Sequence, residues 1–242
     1  MRVEVAALPS LMVVEQLPRR TAIVFDVLRA TTTMAAALHA GARRIVPFDS
    51  LESASSAARA FDGPRVLAGE RNVLRPDGFD AGNSPPEVAA LAPGRTVFMS
   101  TTNGTRAIVA SASAADVLVA ALVNASAAAR VAASLGRDLT LVCSGTHGAI
   151  ATEDLLGAGA VVAALRSLVA DVQLDNDTAR IAESLFAHHR GSLHETLWHS
   201  QGGQNIRRAG LESDVAFAAR LDALPCVGRL GSGGIVAATV AN

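Results

Sequence analysis

Asp26 closes a run of apolar residues, Ala22 to Phe25, and is followed by Arg29 and three threonines, Thr31 to Thr33. The spacing predicts a buried strand that hands over to an alanine-rich helix, with an acid, a base and a row of hydroxyls at the junction. In α/β proteins that junction is where ligands bind. A helix start adds free backbone N–H groups and the positive end of the helix dipole, which suits phosphate. A helix cap with one surface ion pair would use the same residues. Glu70 and Arg71 repeat the acid–base couple after a second apolar run, Arg65–Ala68. A third polar stretch, STTNGT at 100–105, follows the strand-like TVFM and supplies Thr101, Thr102, Asn103, Gly104 and Thr105. Hydroxyls, an amide and a glycine turn at a helix start make an anion nest.

The remaining acids with chemical potential are Asp80, in the long loop 75–88, and Glu153 with Asp154, which open a helix after the loop SGTHG. Carboxylates at strand ends without a matching His or Cys cluster suit Mg²⁺ rather than zinc. Mg²⁺ takes only one or two carboxylates and completes its shell with water and phosphate oxygens. Asp26 and Glu70 are the expected ligands. Asp80 or Glu153 could activate water or protonate a leaving oxygen. Arg29, Arg71, Thr31, Asn83 and the 101–105 loop are the expected phosphate or sulfonate contacts, guanidinium being suited to two-point binding of such oxygens. Internal pairing of Arg29 with Asp26, and of Arg71 with Glu70, is the structural alternative. Whether Asp26 is a metal ligand or a nucleophile stays open at the level of sequence.

Other phosphoryl-transfer routes lack their parts. A cysteine phosphatase needs an arginine one short loop beyond its cysteine; the equivalent positions after Cys143 and Cys226 hold Ala149 and Ser232. No Walker A ending and no dinucleotide fingerprint follows a strand. LLGAGAVV, 155–162, lies in an apolar helix, where small residues serve close packing. The second acid of an Asp-x-Asp phosphatase pattern is replaced by Leu28, and Asp175-Asn176-Asp177 reads as a helix cap. The histidines form no HExxH pair, and an oxidoreductase reading has no fingerprint to support it.

Strands alternate with helices along most of the 242 residues, which implies a layered α/β/α fold with a largely parallel or mixed sheet and repeated strand–loop–helix units. The three polar loops are expected at one carboxyl edge. The chain reads as one α/β domain, 1–242, or as two similar halves, about 1–90 and 91–242, around a central cleft. Aromatics are 3% and the net charge is −1 without a basic run, which excludes a nucleic-acid binder. No signal peptide or membrane span is expected, so a cytoplasmic protein follows. Cys143 and Cys226 read as free thiols. Alanine-rich apolar helices point to a homodimer.

FDVLRATTT, AGER, GFDAGNSP, TTNGTRA, Asn124-Ala125-Ser126, the SGT loop, EDLLGAGA and GGQNIRRAGLESDVAFAARLD follow one another over nearly the whole chain. In combination they resemble the 2-phosphosulfolactate phosphatase family. The resemblance implies that family's own α/β fold and Mg²⁺-dependent hydrolysis of the phosphate ester of a small sulfonated or carboxylated hydroxy acid, 2-phosphosulfolactate, a step associated with coenzyme M biosynthesis. The third loop departs from the family pattern: His147 stands near a position expected to be acidic, and residues 147–151 are less polar. A non-catalytic anion-binding or regulatory protein that kept the fold is the alternative this departure supports.

Overall fold

The computed structural model describes residues 1–238. After β1 (Arg2–Ala6) come two 3₁₀ turns, Pro9–Leu11 and Val14–Arg19. The alternation then runs β2 (Thr21–Phe25), α1 (Ala30–His39), β3 (Arg44–Phe48), α2 (Leu51–Ala60) and β4 (Arg65–Gly69). Beyond the long loop follow α3 (Pro85–Leu91), β5 (Thr96–Ser100), α4 (Gly104–Ala110), β6 (Asp116–Ala120), α5 (Ala125–Leu135), β7 (Leu139–Cys143) and α6 (Thr152–Leu168). The chain continues through β8 (Gln173–Leu174), α7 (Asp177–His189), α8 (Leu193–His199), α9 (Gln201–Arg208) and α10 (Glu212–Ala218) to the hairpin β9 (Gly228–Gly231) and β10 (Gly234–Ala237). The sequence reads as a last strand over 235–240, of which residues 239 and 240 lie outside the described residues. Local signals set several boundaries. Asn176 caps α7 by accepting the Ala179 N–H, and Gly136 ends α5 in the left-handed region at φ +67°.

One mixed sheet carries the ten strands in the order β4-β5-β3-β10-β9-β6-β2-β7-β1-β8. It contains two parallel blocks, β4-β5-β3 and β6-β2-β7-β1-β8. The β9–β10 hairpin joins them through antiparallel pairings with β6, within itself, and with β3. Three reversals leave the blocks running in opposite senses. The polar loops therefore do not share one carboxyl edge, as the sequence led us to expect. The 26–29 and 144–149 loops leave one block; the 70–73 and 101–104 loops leave the other. They meet nonetheless, because Gly104 at the start of α4 lies against the Asp26 carboxylate.

Alternation along the central strands feeds two separate cores. Ile23 and Phe25 of β2 join Leu118, Leu141 and Leu156 on the face covered by α5 and α6. Ala22 and Val24 join Met34, Met99 and Ile108 on the face covered by α1 and α4. A smaller aromatic cluster, Phe98 with Phe48 and Phe61, seats α2. Both free cysteines are confirmed as such; Cys143 is buried and Cys226 partly so. Among the described residues no helix is long and apolar enough to cross a membrane.

The glycines of α6 are packing positions, as the sequence suggested. A Cβ at Gly157 would press on Phe25 and Val27 at 2.9 Å, and one at Gly159 would lie 2.0 Å from the Ala182 carbonyl oxygen of α7. Backbone cannot yield cheaply there. Gly159→Ala is expected to cost about 1–3 kcal/mol in urea unfolding. Gly191→Ala, where nothing lies within 4 Å of the added carbon, should stay within about 0.5 kcal/mol.

Candidate active site

Asp26 sits between two helix starts. Its Oδ1 accepts the Ala30 N–H at 3.0 Å, and Gly104 at the start of α4 packs against the same carboxylate. A Cβ at Gly104 would be 2.5 Å from Asp26 Oδ2, so only glycine lets the two loops approach this closely. Despite this donor, burial pushes the Asp26 carboxyl up to about 6, with repulsion from Glu70 and Glu153 adding to it. Thr31 lies outside the cleft lining. Its buried hydroxyl accepts the Asp26 N–H and returns a bond to the Asp26 carbonyl, both at 3.0 Å, so it fixes the turn.

Glu70 organises the opposite wall. Its Oε1 accepts the Thr102 N–H at 2.7 Å and the Thr102 hydroxyl at 2.5 Å, and its Oε2 accepts the Val73 N–H at 2.9 Å. The loop it holds includes Asn72 at φ +53° and Val73 at φ +74°. A β-branched residue rarely adopts that region, and such strain is held by surrounding structure at functional sites. Thr101 and Thr105 bond one another's backbone and hydroxyls across the first turn of α4. They cap the helix instead of presenting donors to a ligand. Asn103 and Thr102 do border the cleft.

Neither of the alternative acid–arginine pairs, Arg29 with Asp26 or Arg71 with Glu70, forms. Arg29 lines the cleft but gives one guanidinium nitrogen to Asp214 at 2.6 Å and another to the Val73 carbonyl at 2.5 Å. Asp214 lies on α10, is fully buried, and also accepts the Ser84 hydroxyl at 2.7 Å. Ser84 therefore begins α3 without capping it. Arg71 is exposed, pairs with Glu52 at 3.3 Å and lies outside the cleft lining. Asp80 likewise lies outside the cleft lining. It is exposed, and its carboxylate accepts the Leu67 N–H at 2.8 Å, tying the long loop along β4.

Behind the cleft, Asp154 joins two loops. Its carboxylate accepts the Val27 N–H at 2.8 Å and the Gly145 N–H at 3.0 Å. Burial raises its pKa well above the usual range, and Asp26 and Glu153 raise it further. Glu153 is also raised by burial, partly offset by its own N–H and the Ser200 hydroxyl. Its Oε2 is buried without a hydrogen-bond partner among the described residues. Gly202 of α9 packs on it so closely that a Cβ would fall 2.0 Å from Oε1.

The cleft is bordered by Asp26, Glu70 and Asn83 on one side and by Thr146, His147 and Asn205 on the other. Asn83 is buried, and its side-chain oxygen has no partner among the described residues. Asn205 and Gly202, both from α9, were missed in the sequence, where GGQN carries no recognisable chemistry. Among the described residues no three His, Cys, Asp or Glu side chains form a complete metal cage. The donor set still fits a hard cation, since two oxygen ligands suffice for Mg²⁺. Asp26 and Glu70 repel one another, and Glu153 leaves an unpartnered carboxylate oxygen close behind.

A family model described as 2-phosphosulpholactate phosphatase matches residues 7–233. The chain belongs to the 2-phosphosulfolactate phosphatase family. A relative from Symbiobacterium thermophilum, named "Probable 2-phosphosulfolactate phosphatase", is 41% identical over 214 residues, covering 87% of this chain and 91% of the relative. A Thermus thermophilus protein of the same name is 43% identical over 203 residues, covering 82% and 83%. One from Caldanaerobacter subterraneus is 34% identical over 219 residues, covering 90% of each. The layered α/β fold with a mixed sheet agrees with the fold class expected from the sequence.

The raised Asp26 carboxyl has a consequence for stability. The folded state binds that proton more tightly than the unfolded chain, so its contribution is fully present below the ordinary Asp pKa. It is lost as pH rises through about 6. About 3 kcal/mol is at stake for a shift of this size. In metal-free protein, urea unfolding between pH 4 and 7 should show this fall, and Asp26→Asn should flatten it. An unchanged pH slope in the variant would mean that Asp26 is not the group responsible.

Proposed function

We propose that this chain is a Mg²⁺-dependent phosphatase that hydrolyses 2-phosphosulfolactate, or a closely related phosphorylated hydroxy acid, to phosphate and the free hydroxy acid. The observation that carries the reading is the convergence of Asp26 and Glu70 from opposed parallel blocks onto one cleft beside the starts of α1 and α4. The names of the relatives supply the substrate class. Asp26 and Glu70 would hold Mg²⁺, which when bound neutralises charge on the phosphoryl oxygens.

The chain's own residues do the remaining work. Asn83, buried and with an unpartnered amide oxygen, faces the cleft as a polar contact for the ester. Because side-chain amide oxygen and nitrogen are assigned from their partners, it can present either to a ligand. Asn103 and Thr102 form the adjacent wall. Arg29, held by Asp214, places positive charge beside the cleft while anchoring the Val73 carbonyl. Glu153 is the acid retained for proton transfer: burial raises its carboxyl above the usual range, and it lies directly behind Gly202. Asp80, tied to β4, is removed from that role.

Phosphate release from 2-phosphosulfolactate with added Mg²⁺ tests the reading. Stripping metal with EDTA should abolish turnover and Mg²⁺ should restore it. Asp26→Asn and Glu70→Gln should each lower kcat by about 10²–10³-fold, the size expected when one preorganised electrostatic group is lost. Full turnover in stripped enzyme, or in Asp26→Asn, would contradict it.

A further inference from the structure

The cleft is divided by charge. Its inner part carries Asp26 and Glu70, and the one arginine there, Arg29, is already committed to Asp214. Its mouth is different. Asn72, Thr146, His147, Gln201, Asn205 and Arg208 border it, and this lining contains no Asp or Glu. Arg208 is exposed and forms no ion pair among the described residues.

The mouth is also ordered for donation. Gln201, Asn205 and Arg208 recur at helical spacing, so one stripe of α9 faces the opening. Gln201 Nε2 donates to Asn205 Oδ1 at 3.0 Å, which orients the Asn205 amide so that its NH₂ group is free to donate. Opposite, the Thr146–Ala149 backbone pair, at 2.9 and 3.0 Å, closes a tight turn. That turn holds His147 at φ +51°.

We propose that this mouth is the subsite for the second acidic group of the substrate, a sulfonate, and that Arg208 and Asn205 are its specificity-determining residues, with His147 as the facing wall. The inference rests on the phosphatase reading of the inner cleft. The chemistry separates the two anions of such a substrate. A phosphoryl dianion is a good partner for a hard cation held by carboxylates. A sulfonate is a weakly basic monoanion with three oxygens, better matched by guanidinium and amide N–H donors. Placed the other way round, the phosphoryl dianion would lose the hard cation that Asp26 and Glu70 would hold.

The test compares 2-phosphosulfolactate with p-nitrophenyl phosphate, which lacks the second acid. In Arg208→Gln the ratio of kcat/KM between the two esters should fall roughly ten-fold, about the loss of one charged hydrogen bond. The change should lie in KM for the sulfonated ester. Arg208→Lys should recover part of it. Asn205→Asp, which sets a carboxylate in the subsite, should lower the ratio further. Ratios unchanged in both Arg208→Gln and Asn205→Asp overturn the proposal. If the wild type releases phosphate from no ester, the phosphatase reading fails separately. Calorimetric binding of sulfolactate then decides the subsite: roughly ten-fold weaker binding in Arg208→Gln supports it, and equal or absent binding in the wild type overturns it.

Discussion

Two carboxylates, Asp26 and Glu70, line one cleft, and two more, Glu153 and Asp154, are buried behind it. Taking Asp26, Glu153 and Asp154 out of water beside Glu70 is costly, and each raises the free energy of its neighbours. The fold offsets that cost with backbone donors drawn from separate loops. Asp26 takes an N–H from α1 and packs against Gly104 of α4, Asp154 takes N–H groups from the 26–29 and 144–149 loops, and Glu70 takes them from the 70–73 and 101–104 loops. Satisfying the acids and fixing the loops are therefore one event. What the donors leave uncompensated is net negative charge facing the cleft, which is the physical argument for a divalent cation.

A second buried interaction closes the site from behind. Arg29 and Asp214 are both nearly inaccessible to water. Their worth lies less in net stability, which desolvation erodes, than in geometry. Asp214 also holds Ser84, and Arg29 also holds Val73. Four segments distant in the chain are pinned at one point, including the strained turn at Asn72 and Val73. α10 is thereby fixed against the site, and the neighbouring α9 supplies Gly202, Asn205 and Arg208 to the cleft and its mouth.

The sequence made some of this legible and hid the rest for definable reasons. Asp26 and Glu70 were readable because an acid ending an apolar run is a local signal, and the glycines of α6 were readable as packing for the same reason. The sheet's reversal was not. It depends on the β9–β10 hairpin inserting between β3 and β6, a tertiary choice that no local pattern encodes. Thr31, Thr101 and Thr105 looked like ligand donors, yet short hydroxyl side chains bond nearby backbone first. Asp80 followed the same preference in its turn. Asp214 and Asn205 lie on helices where an acid or amide reads as solvent-facing. The Arg29–Asp214 contact spans 185 residues.

The central claim is that these crowded carboxylates are a cation site whose protons leave when Mg²⁺ enters. Isothermal titration of Mg²⁺ into stripped protein at pH 6, in buffers of different ionisation enthalpy, measures this directly. Asp26, with a pKa of about 6 in the metal-free fold, must be deprotonated to bind the ion. The account predicts saturable binding with release of about half a proton or more per site, and less release at pH 8. Binding with no buffer dependence at pH 6, or no binding at all, would contradict it.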